Sequence, residues 1–117
     1  MSIVVRLEPG SRLSEAAVHN GTIYLAGQVA NDPSLDIGGQ TRDVLASVDR
    51  LLASAGSDKT MILMAQIFLA DITDFDGMNA AWDAWVPSGN LPPRATVQAS
   101  LARPGWKIEV VVTAASK

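Results

Sequence analysis

Leu91-Pro92-Pro93-Arg94-Ala95-Thr96-Val97-Gln98, followed past the turn Ala102-Arg103-Pro104-Gly105 by Lys107-Ile108-Glu109-Val110, decides how this chain is read. One arginine opens a β-patterned run directly after two prolines. One glutamate then stands inside an otherwise apolar strand, Ile108 to Val112. A charge in an apolar strand is costly unless it is paired, hydrogen-bonded or facing a wet cleft. A fixed guanidinium and a semi-buried carboxylate in neighbouring strands are the minimum for binding a small carboxylic acid and activating a water on it. Plainer roles stay open on these residues alone. Arg94 can cap a strand end or make an interface ion pair, and Glu109 can be a structural partner of Arg94 or Lys107.

The run Arg94–Leu101 alternates. Arg94, Thr96, Gln98 and Ser100 share one face; Ala95, Val97, Ala99 and Leu101 share the other. The apolar set is expected against the helices, the polar set in a cleft or subunit interface. If this run and Trp106–Ala114 form a hairpin near Arg103-Pro104, Arg94 lies opposite Thr113 and Glu109 opposite Gln98. The two charges would then be roughly 13 Å apart along the strands. That span is long for one small ligand, so the expected cleft is completed across a subunit boundary.

Outward from this stretch, Ile3-Val4-Val5-Arg6-Leu7 is a short β-prone run ended by Pro9-Gly10. Glu15–Val18 and Ile23–Ala26 flank Asn20-Gly21, which supplies the positive φ angles of a tight type I′ hairpin. Gly27-Gln28 ends the second strand. Thr41–Ala55 has helical spacing, with Val44, Val48, Leu51, Leu52 and Ala55 on one face and Gly56 placed as a left-handed cap. Thr60–Ala70 reads as a central strand. Asp74 is expected to cap a helix from about Phe75 to Trp85, whose stripe of Phe75, Met78, Trp82 and Trp85 reads as core. The order is β-ββ-α-β-α-ββ. It predicts one α+β domain over residues 1–117, a single mixed sheet with both helices on one face. The other face is then wet or buried by another subunit.

Composition narrows the function. A net charge of −3 with no basic block argues against nucleic-acid binding. Cysteine is absent, which excludes disulfides, a thiol nucleophile and a zinc-thiolate site. No apolar run approaches ~20 residues, and Met1–Leu7 lacks the features of a signal peptide, so no membrane association is expected. The lone His19 beside a turn does not suggest a metal site. Gly38-Gly39 is not a phosphate loop, since no Gly-Lys-Ser/Thr follows. Asp71, Asp74 and Asp76 read as loop and helix-start acids, and no Ser-His-Asp arrangement can be argued.

Several segments together resemble the RidA/YjgF/UK114 family. They are Tyr24-Leu25-Ala26-Gly27-Gln28, Ile67-Phe68-Leu69-Ala70-Asp71 with Phe75, Asn79-Ala80-Ala81-Trp82, and Pro93-Arg94-Ala95-Thr96-Val97 with Lys107-Ile108-Glu109. The resemblance covers nearly the whole chain, in order. It implies a chorismate-mutase-like fold, a cytoplasmic homotrimer with an internal barrel of sheets, and ligand clefts between subunits. It also implies hydrolysis of small reactive 2-imino or enamino acids to 2-keto acids and ammonia, with no metal or organic cofactor. Arg94 would clamp the substrate carboxylate, assisted by the backbone amide of Thr96, and Glu109 would orient or activate the water. Ala26, Gly27, Gln28 and Leu13 would line the rest of the pocket. Three of these positions depart from the archetypal deaminases. Ala26 replaces a serine, Thr96 replaces a cysteine, and Leu13 falls where an aromatic ring packs on the ligand. These departures suggest an altered ligand preference. They also leave room for the alternative, a non-catalytic module that binds keto acids or other small carboxylates. Nucleic-acid cleavage, attributed to some relatives, is disfavoured by the acidic balance.

Overall fold

Period-two alternation in the strands and helical spacing in two segments build two layers around one core. The computed structural model describes residues 3–117; Met1 and Ser2, part of the N-terminal reading above, lie outside the described residues. The strands are β1 (Val5–Pro9), β2 (Ser14–His19), β3 (Thr22–Leu25), β4 (Gln28–Val29), β5 (Ile62–Leu69), β6 (Arg94–Gln98) and β7 (Ile108–Ala115). The helices are α1 (Ile37–Ser54) and α2 (Phe75–Trp85). The short β4, which pairs with β7, is an addition to the expected order. α1 begins earlier than Thr41 because Asp36 caps it, accepting the Gly39 N–H. Thr60 falls in a 3-10 turn, Lys59–Met61, ahead of β5. Asp74 makes no side-chain cap. Asp71 instead accepts the Thr73 N–H at the 3-10 turn before α2.

The sheet runs β1-β2-β3-β7-β5-β6. The β2–β3 hairpin turns at Asn20 (φ 50°) and Gly21 (φ 79°), both in the positive-φ region that a type I′ turn needs. All pairings are antiparallel except β5–β6. That pair is parallel because α2 carries the chain back across the sheet, and a strand-helix-strand crossover returns strands in one direction. β6 and β7 therefore do not form the expected hairpin: β5 lies between them. Along β5, Ala65 is level with Arg94 on one side and Val112 on the other, while Phe68 is level with Glu109.

The core lies between the helices and one sheet face. Val44, Leu45, Val48, Leu51 and Leu52 of α1 and Met78 and Trp82 of α2 meet Ile23, Leu25, Ala65, Ile67, Leu69, Ile108, Val110, Val112 and Ala114. The opposite sheet face carries Tyr24, Met64 and Val97, all more than a third exposed, with Phe68 and Glu109. Here a second expectation is corrected. Residues paired across a sheet share a face, so Arg94 and Thr96, level with buried Ala65 and Ile67, lie on the helix side. Ala95 and Val97 lie on the open side. The rule that sends apolar residues to the helices fails because this sheet has apolar groups on both faces.

Candidate functional site

Arg94 is delivered rigidly. Pro92 and Pro93 fix the backbone ahead of it, and the Pro93 carbonyl accepts the Ala65 N–H at 3.0 Å, which docks the start of β6 on β5. The guanidinium then lies over two rings of α2, 5.1 Å from the centroid of Trp82 and 5.9 Å from that of Phe75. Each such contact is worth about 0.5–2 kcal/mol, depending on desolvation. Phe75, expected in the core stripe, is instead 37% exposed and outside the core, while Trp82 is buried; both rings lie against the arginine, a role that the apolar spacing alone did not signal. Among the described residues the Arg94 guanidinium makes no ion pair and no hydrogen bond. Its donors are therefore left for solvent or for a ligand, and a planar fork of this kind suits a carboxylate.

Those donors face an open pocket of about 340 Å³ lined by Asn79, Trp82, Asp83, Val86, Leu91, Pro92 and Arg94. Asn79, Trp82 and Asp83 fall on one face of α2 at i, i+3 and i+4. The end of the helix that begins the pocket wall is tied down. Lys59 Nζ donates to the Trp85 carbonyl at 2.7 Å, and Trp85 Nε1 donates to Asp49 at 2.9 Å. Asn79 Oδ1 and Thr96 Oγ1 are both shielded from solvent and have no hydrogen-bond partner among the described residues. Asn79 was not among the expected site residues; the segment Asn79-Ala80-Ala81-Trp82 carried the family resemblance, and the asparagine was its available signal.

The backbone of β6 adds a donor. The Ala65 N–H bonds Pro93 O, and the Ala99 N–H bonds Leu69 O. A parallel ladder engages every second residue. The amides of Arg94, Thr96 and Gln98 therefore point to the free edge of the sheet, where β6 is the last strand. The Thr96 N–H is open on the edge that carries Arg94.

Glu109 belongs to a different neighbourhood. It sits on β7, paired with Val29 of β4 and Phe68 of β5, on the open sheet face. Its carboxylate lies over Gly27: a Cβ there would overlap the carboxylate oxygen and come within 2.9 Å of its carbon. Among the described residues the Glu109 side chain makes no hydrogen bond or ion pair. Gln28 is buried, and its amide donates to the Ala26 carbonyl at 2.9 Å, which holds the Ala26-Gly27 turn beneath Glu109. Leu13 is exposed at the turn between β1 and β2; the Ala26 N–H bonds the Glu15 carbonyl, which places that turn at the same end of the sheet.

A further buried residue, Gln40, sets where β7 starts. It has no exposed surface, donates through Nε2 to the carbonyls of Pro33, Leu35 and Gly105, and accepts the Lys107 N–H through Oε1 at 2.9 Å. Lys107 stands two residues before Glu109.

The expected residues therefore fall into two groups. Arg94 and Thr96, with Asn79 and Trp82, form one; Glu109 with Ala26, Gly27, Gln28 and Leu13 forms the other. In a single chain Arg94 and Glu109 lie on opposite sheet faces, two strands and three residues apart, with Cα atoms separated by roughly 14 Å. The hairpin register expected for them is replaced, and the structure does not bring the two charges together within one chain.

A profile for the family described as Endoribonuclease L-PSP matches residues 4–116. A "RutC family protein" of Haemophilus ducreyi is 48% identical over 113 residues, 97% of either chain. A rat protein named "2-iminobutanoate/2-iminopropanoate deaminase" is 35% identical over 103 residues, 83% of this chain and 74% of that one. A crystal structure of a YjgF-family member from Neisseria meningitidis superposes with a TM-score of 0.96 at 44% identity, covering 98% of this chain and 96% of that one.

Proposed function

The chain belongs to the Endoribonuclease L-PSP family, the YjgF/RidA family, and from that premise we propose that it hydrolyses small reactive 2-imino or enamino acids to 2-keto acids and ammonia. The observation that carries this reading is the Arg94 guanidinium, which lies against Trp82 and Phe75, lines the pocket and makes no hydrogen bond or ion pair among the described residues. A planar five-donor fork suits a carboxylate. The deaminase name of the rat relative supports the reaction class.

In this reading Arg94 and the Thr96 N–H hold the substrate carboxylate, and Glu109 of a neighbouring chain positions and deprotonates the attacking water. Water adds to the imine carbon, and the carbinolamine then collapses to the keto acid and ammonia. Imines already hydrolyse in water, so registration of water and carbon supplies most of the acceleration. No metal or organic cofactor takes part. The apolar open face of Tyr24, Met64 and Val97 supports burial in a closed homotrimer, with clefts between subunits that join the two residue groups. The proposed setting is the cytoplasm; no helix among the described residues is long and apolar enough to cross a membrane.

The test is ammonia release from freshly generated 2-iminobutanoate, beside binding of 2-ketobutyrate. Wild type should do both. Arg94→Lys keeps the charge but loses the fork, so it should weaken 2-ketobutyrate, and Arg94→Ala should nearly abolish binding. Binding without ammonia release would favour the non-catalytic carboxylate module, for which the altered positions Ala26, Thr96 and Leu13 speak. Undiminished binding in both variants would refute the anchor.

A further inference from the structure

The pocket at Arg94 holds a second charge that the anchor role leaves unused. Asp83 lies on α2, next to Trp82 and one turn beyond Asn79, and lines the same pocket as Arg94. Among the described residues its carboxylate makes no ion pair or hydrogen bond, with Arg94 or with any other group. Two opposite charges facing one pocket would ordinarily close on each other. Here Arg94 lies against the Trp82 and Phe75 rings, and no ion pair joins it to Asp83. The same pocket has an apolar part to its lining: Val86, Leu91 and Pro92.

We propose that Asp83 determines specificity, so that the pocket prefers small carboxylates whose side chain ends in a positively charged, N–H-donating group. This rests on Arg94 being the carboxylate anchor. The ligand's carboxylate meets Arg94, its methylene stem lies along Val86, Leu91 and Pro92, and its cationic end meets Asp83. The division of labour is spatial. Arg94 holds one end of the substrate, Glu109 of a neighbouring chain addresses the reacting carbon, and Asp83 reads the substituent. An acid merely solvated on the helix surface would confer no such preference.

Isothermal titration of the full-length protein with matched stable pairs tests this: pentanoate against 5-aminopentanoate, and hexanoate against 6-aminohexanoate. The amino member should bind more tightly in at least one pair, by about twofold to fivefold, the range of a solvent-accessible ion pair. The preference should shrink in 1 M salt, where the screening length falls to about 3 Å. Asp83→Asn should remove the preference by weakening only the amino member, with pentanoate and hexanoate bound as well as before or better. Thermal unfolding of Asp83→Asn should match wild type, since Asp83 is exposed. Equal affinities in wild type, or a preference that survives Asp83→Asn, would overturn the specificity role while leaving the anchor standing. No binding of any of the four ligands, or unchanged binding in Arg94→Ala, would overturn the anchor and this inference with it.

Discussion

Gly27→Ala separates the proposed catalytic role of Glu109 from its place in the fold. The backbone of Gly27 is not in the positive-φ region, so alanine brings no conformational strain there. Its Cβ would stand 2.9 Å from the Glu109 carboxyl carbon and 3.2 Å from Cγ, and it would overlap the carboxylate oxygen. Ordinary carbon–carbon contact begins at about 3.5 Å, so the carboxylate must move by roughly 0.5–1 Å. It is the free end of a flexible side chain, so the fold should lose no more than about 1 kcal/mol. Displacement of a reacting group by about 1 Å costs on the order of 10²-fold in rate. Gly27→Ala should therefore lower kcat for 2-iminobutanoate hydrolysis by tenfold to a hundredfold, an order-of-magnitude range. Affinity for 2-ketobutyrate and the midpoint of urea unfolding should stay near wild type. Placed on Glu109→Gln, the same substitution should do little more, because the group it displaces is already disabled. An unchanged kcat would refute the reasoning, as would fully additive losses in the double variant.

Other outcomes follow from the same structure. Gln40→Met keeps the volume but leaves the Lys107 N–H and three carbonyls without their amide, so urea unfolding should report a loss of about 2–4 kcal/mol; a loss below about 1 kcal/mol would show that these groups find other partners. Asp58 is held down to about 2 from 3.8, first by the Lys117 ammonium and then by the Thr60 hydroxyl and N–H. Its folded value is depressed, so its stabilisation is complete above the unfolded value and disappears as pH falls from about 4 to about 2. In Lys117→Met the Asp58 carboxyl, followed by carbon NMR, should titrate closer to 3.8; an unmoved titration would exclude the Lys117 contact as the cause.

Much of this was legible because it is local. Asn20-Gly21, the stripe Val44-Val48-Leu51-Leu52 and the range Phe75–Trp85 each declare themselves within one turn of chain, and the structure keeps them. The Gly56 cap is of the same kind, with φ 79° just after α1. The pairing of β7 was not legible in this way. Its neighbours are β3, β4 and β5, all distant in sequence, and the loop from Ala99 to Lys107 crosses β5 instead of making a hairpin. The intervening α2 did hold the clue, since a strand-helix-strand unit demands parallel neighbours.

For the site, Arg94 and Glu109 stood out as charges in β-patterned runs, and among the described residues the structure gives neither side chain a hydrogen bond or ion pair. β6 alternates as its sequence predicts, but its polar set faces the helices and its apolar set the open face. Arg94 sets its guanidinium against aromatic rings on the helix side, while Ala95 and Val97 lie on the open face. Gln40 gave no sign of itself. A buried amide is recognised by its four backbone partners, and those come from three separate segments.

In the proposed assembly each active site joins Arg94 of one chain to Glu109 of another. Arg94→Ala chains and Glu109→Gln chains, each inactive alone, can be unfolded, mixed in equal amounts and refolded, with native mass spectrometry confirming mixed trimers. Each site draws one residue from each of two chains, so random assembly should restore about a quarter of wild-type ammonia release from 2-iminobutanoate (a half times a half). No recovery in confirmed mixed trimers would place both residues in one chain's site and contradict the account.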